Sequence, residues 1–125
     1  LVAGWRLTPP PRALAAAEPA LVHLHDGETM ADITVAPGRP GPVVITVRLT
    51  REDGAPIVAK ELSLSLEQAG LGIEPLTRRG RLAEPGTWQV SGLIVPAPGT
   101  WTVTVTALID DFDKIVLDGP LLVQP

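Results

Sequence analysis

Both histidines and the single methionine of this chain fall in one eight-residue stretch, His23-Leu24-His25-Asp26-Gly27-Glu28-Thr29-Met30. Two imidazoles at i and i+2 of a strand share a face and can chelate one ion. A thioether beside them adds a soft donor, which favours copper and especially Cu(I). The flanking residues say which face. Val22 and Leu24 alternate with His23 and His25 before the turn, and Ala31, Ile33 and Val35 alternate with Met30, Asp32 and Thr34 after it. Asp26-Gly27-Glu28-Thr29 is expected as a four-residue hairpin loop. Pairing across it opposes His25 to Met30, His23 to Asp32, Leu24 to Ala31 and Val22 to Ile33. Opposed residues share a face, so a single register turns every apolar residue inward and sets His23, His25, Met30 and Asp32 on the solvent side. A slip of one residue would bury both histidines. The expected ligands are therefore His23, His25 and Met30, with Asp32 as an additional ligand or as the acceptor that fixes a ring tautomer. The plainer alternative also stands: two surface histidines at a turn, with a methionine covering a neighbour.

The elements that must hold this hairpin are read from the rest of the chain. Its 125 residues suit one domain with a real core, and the 45% apolar content argues against disorder. Fourteen prolines and twelve glycines imply many short segments divided by turns. From Ala20 onward the period is two. Thr100-Trp101-Thr102-Val103-Thr104-Val105-Thr106-Ala107 alternates without a fault, and Val43–Thr50, Leu62–Glu67, Trp88 with Val90, and Lys114–Val123 follow. The last of these is expected to break at Gly119-Pro120. Turn clusters at 37–42, 52–56, 69–72 and 96–99 separate the runs. About seven or eight antiparallel strands in an immunoglobulin-like, all-β sandwich over residues 19–125 are predicted, with Trp88 and Trp101 facing its core. Residues 1–18 are expected to form a stub and a proline-rich linker. Leu1–Leu7 reads as a signal-peptide remnant, a strand, or the end of a transmembrane helix followed by the stiff spacer Thr8–Arg12.

Several function classes are weakened by composition. No cysteine is present, so disulfides and thiolate chemistry are excluded. The net charge of −4, with Arg78, Arg79 and Arg81 as the one basic cluster, argues against nucleic acid. No run of about 20 apolar residues spans a bilayer. No serine-protease order, phosphate loop or zinc-protease motif occurs, so an enzyme is not expected. Asp110-Asp111-Phe112-Asp113 is read as a solvated turn with Phe112 plugging the core, or as a site for a hard cation. Glu74-Pro75-Leu76 with the three arginines is read as a surface of ion pairs or a docking patch.

Taken in order, Gly4-Trp5-Arg6-Leu7-Thr8-Pro9-Pro10-Pro11, His23-Leu24-His25, Met30-Ala31-Asp32, Pro37-Gly38, Gly72-Ile73-Glu74-Pro75-Leu76, Pro98-Gly99-Thr100-Trp101 and Asp111-Phe112-Asp113-Lys114 make the chain resemble the YtkA-like domain. That domain is the C-terminal extracytoplasmic part of bacterial copper resistance protein D (CopD-type) membrane proteins. The resemblance implies an immunoglobulin-like domain after a last transmembrane helix, on the periplasmic face of the inner membrane, serving copper import or homeostasis. Copper, as Cu(I), Cu(II) or both, is then the expected cofactor. The expected partners are the transmembrane portion of the same protein or a periplasmic copper chaperone, with a metal-bridged homodimer as a further arrangement. The competing expectation is a structural or protein-interaction sandwich with no metal site of its own.

Overall fold

A computed structural model describes residues 18–70, 72 and 74–125; the stub, the spacer and the segment Ala13–Ala17 lie outside the described residues. Nine strands occur among the described residues, in chain order: β1 (Ala20–Asp26), β2 (Thr29–Ala36), β3 (Gly41–Arg51), β4 (Glu61–Glu67), β5 (Leu76–Arg79), β6 (Arg81–Glu84), β7 (Thr87–Val95), β8 (Gly99–Leu108) and β9 (Lys114–Val123). One sheet runs β1-β2-β3-β7-β6 and the other β5-β4-β8-β9, all antiparallel, which makes the all-β, immunoglobulin-like sandwich the alternation predicts.

The two inner faces supply the core. Ala31, Ile33, Val35, Ile45, Val47 and Leu49 of one sheet, and Leu64, Leu66, Val103, Val105 and Leu121 of the other, are buried almost completely. Trp88 and Trp101 are buried as expected, on consecutive strands that belong to opposite sheets. The Trp101 indole N–H donates to the Ala97 carbonyl at 3.0 Å. On β7 the alternation changes phase between Val90 and Leu93. Val43 opposes Leu93 while Ile45 opposes Val90, so two β7 residues face the single Val44. Gly92, at φ 77°, supplies the left-handed backbone this bulge uses.

Three expectations need correction. The described residues form nine strands where about seven or eight are expected, because the arginine-rich stretch folds into two four-residue strands, β5 and β6. Their exposed side chains leave no apolar alternation to read. The ion pair formed there is Arg79 with Glu61. Second, β9 is continuous through Gly119 and Pro120, which oppose Val103 and Thr102. It is an edge strand, where a missing N–H costs no ladder bond. Third, Phe112 does not plug the core: it is 95% exposed. The Asp110 carboxylate accepts the backbone N–H groups of Phe112 and Asp113 at 2.8 and 2.9 Å. This closes a tight turn that points the ring outward.

The strand directions place the β1–β2 turn, the loop after β3, the β6–β7 turn and the β8–β9 turn at one end of the sandwich. Glu18, the β2–β3 loop and the C-terminus meet at the other, where the Gly38 N–H donates to Glu18 and the Gln124 N–H to Gly38.

Candidate metal-binding face

The hairpin forms in the predicted register: His25 opposes Met30, Leu24 opposes Ala31, His23 opposes Asp32 and Val22 opposes Ile33. Its loop is shorter than expected, because Asp26 and Thr29 are paired and only Gly27 and Glu28 turn the chain. Gly27 has φ 61° and Glu28 does not have a positive φ, the type II′ pattern whose twist matches the flanking strands. Leu24, Ala31, Ile33 and Val35 are buried, whereas His23, His25 and Asp32 are exposed and Met30 is half-buried.

Leu24 ties this outer face to the opposite sheet. Gly119 occupies an inward position on β9, and a Cβ there would stand 2.5 Å from Leu24 Cδ2. The space left by the absent side chain is thus filled by the residue that separates the two histidines. That packing holds the β1 backbone from behind while His23 and His25 point away from it.

The His23 Nδ1 lies 2.7 Å from Asp32 Oδ1. A carboxylate accepts, so the imidazole carries its proton on Nδ1 and presents the Nε2 lone pair outward. The His25 Nε2 lies 3.6 Å from Glu52 Oε1, a looser contact between two half-exposed groups. The two rings stand with centroids 6.5 Å apart and planes within 23°. Met30 sits between His25 on β1 and Thr50 on β3. A depression of about 380 Å³ lined by Leu21, Val22, His23, Asp32, Ile33 and Thr34 opens beside His23. A larger hollow of about 510 Å³ lies at the far end of β1, around Glu18, Gly38 and Leu122, and contains no histidine or methionine.

Glu52 is the residue that reading the hairpin alone missed. It follows β3 in sequence and reaches His25 because its N–H donates to the Glu28 carbonyl at 3.1 Å. The same loop is closed by Arg51 N–H to Ala55 and by Ala55 N–H to the Asp53 carboxylate. Arg48 opposes Asp32 from β3, but the Asp32 carboxylate is bonded to His23. Nowhere among the described residues do three or more His, Cys, Asp or Glu side chains converge to hold a metal ion. Within one chain, then, the face offers two imidazoles and a thioether, with each ring backed by a carboxylate. Comparison with family models, with curated proteins and with solved structures returned no match.

Proposed function

We propose that this domain is an extracytoplasmic copper-binding accessory module of a membrane copper transport or homeostasis protein of the YtkA-like, CopD-type kind. It captures or transfers copper through His23, His25 and Met30. The observation that carries the reading is the hairpin register, which brings both histidines and the methionine to one outer face and sets Asp32 against the Nδ1 of His23. His23 offers Nε2 in a fixed orientation, His25 a second imidazole, and Met30 a soft donor suited to Cu(I). An exposed face with few protein ligands suits exchange of metal with a partner better than storage. That partner is the transmembrane portion of the same protein or a periplasmic copper chaperone. The module performs no catalytic step of its own.

A second reading, a structural or protein-interaction sandwich, is favoured by the absence of a convergent group of three His or acidic side chains among the described residues. Calorimetric titration of the parent chain with Cu(II), and with Cu(I) under anaerobic conditions, separates the two. Saturable binding of both ions supports the copper module. Heats no larger than those of a histidine-free sandwich would leave the second reading in place.

A further inference from the structure

Four strands end the two sheets, and three of them are built to refuse another strand. β5 and β6 are four residues long and carry Arg78, Arg79, Arg81 and Glu84; β6 also shifts register against β7. β9 carries Lys114, Asp118 and Pro120. Short length, charge, proline and bulges are the usual protections of a sheet edge. β1 has only one of them, the charge of Asp26 at its last position. Ala20-Leu21-Val22-His23-Leu24-His25-Asp26 is a seven-residue strand without proline, glycine, lysine or arginine, and it pairs with β2 without a register shift. Its outer edge faces no strand among the described residues, and Leu21 on it is 73% exposed.

The unprotected edge is also the one that bears the incomplete donor set. Resting on the copper reading above, we infer that β1 pairs antiparallel with β1 of a second copy, through a two-fold axis at Leu24, and that one copper ion is shared by the histidines of both copies. A two-fold interface must be self-complementary. Antiparallel partners share a face, so Leu24 lies against Leu24 of the second copy on the core side. On the outer side, His23 opposes His25 of the second copy and His25 opposes His23. Opposed Cβ atoms stand about 4.5–5.5 Å apart, and successive same-face residues of one strand about 6.6 Å apart. The four imidazoles then occupy the corners of one small rectangle. A two-fold at Val22 or at His23 opposes no His23 to a His25. The axis at Leu24 therefore completes with four nitrogens a site that one chain leaves at two.

The test combines copper stoichiometry, mass in solution and complementation between variants. Sedimentation of the copper-loaded chain is expected to give a dimer with one copper per two chains. Its Cu(II) EPR spectrum is expected to show more nitrogen donors than the two of one chain. His23→Ala and His25→Ala alone each remove every facing histidine pair from their own homodimers. Mixed in equal amounts, they regain one facing pair, so the mixture is expected to bind Cu(II) roughly tenfold tighter than either variant alone, as chelation by a second donor implies. Both side chains are about half exposed, so the variants keep the fold, checked by circular dichroism. A monomer carrying one copper per chain overturns the pairing and leaves the copper reading intact. A mixture that binds no better than its components overturns the Leu24 axis. No copper binding by the parent chain overturns both.

Discussion

Two turns at the same end of the sandwich carry side chains of the kind that bind metals, and they use them in opposite ways. In the β8–β9 turn two of the three carboxylates are already engaged. Asp110 accepts two backbone N–H groups, and the Asp111 carboxylate pairs with Lys60 at 2.9 Å. In the β1–β2 hairpin the turn is made by Gly27 and Glu28 alone, so the two histidines that precede it are not needed to close it. Asp32 engages the inner nitrogen of His23 and leaves the outer one available. Donor-rich composition is common to both; two imidazoles on one face belong to the hairpin alone.

The comparison is broken most severely by the His23→Ala/His25→Ala double variant. Copper affinity should fall by roughly 10²-fold or more, since both nitrogen donors of the chain are gone, while the thermal midpoint stays within a degree or two because the removed groups are exposed. If calorimetry finds copper bound as tightly as in the parent, the hairpin is not the site. Asp32→Asn comes next. Loss of the partner that orients a ligating imidazole typically costs about 10–100-fold in metal affinity, and an unchanged titration would show that Asp32 does not act through His23. Met30→Ala sharpens the contrast between the two oxidation states. Cu(I) binding should weaken by about tenfold and Cu(II) binding by much less, measured with competing chelators for each ion; equal losses would remove the thioether from the ligand set. The smallest effect on the metal is expected in the other turn. Asp110→Ala should cost about 1 kcal/mol of stability through the lost hydrogen bonds, read from urea denaturation, and leave copper titration as it was. A change in copper affinity there would erase the distinction between the two turns.

How far residues reveal such a distinction depends on how local its causes are. The face of His23, His25, Met30 and Asp32 was readable because in a tight hairpin the alternation of apolar residues determines both sides at once. The threonine–apolar alternation of β8 gave its strand for the same reason. Phe112 is aromatic, a type that suits a core, but the Asp110 carboxylate two residues earlier decides its direction. Glu52 escaped notice because its approach to His25 depends on pairing between β2 and β3 and on one bond to Glu28. Polarity hides β5 and β6 from any apolar alternation, and Pro120 does not break β9 because that strand lies at a sheet edge.

Edge strands ordinarily fray first, opening to solvent at a small fraction of the global unfolding free energy. The first strand of this sandwich is secured from within, because Leu24 occupies the room that Gly119 leaves on the facing sheet. A ligand held by the residues on either side of Leu24 would bind only the closed strand, so occupancy and local opening must compete through ordinary mass action. Amide exchange at residues 22 to 26 is therefore a clock for metal residence: slow while the ion is held, and faster as soon as it is handed on.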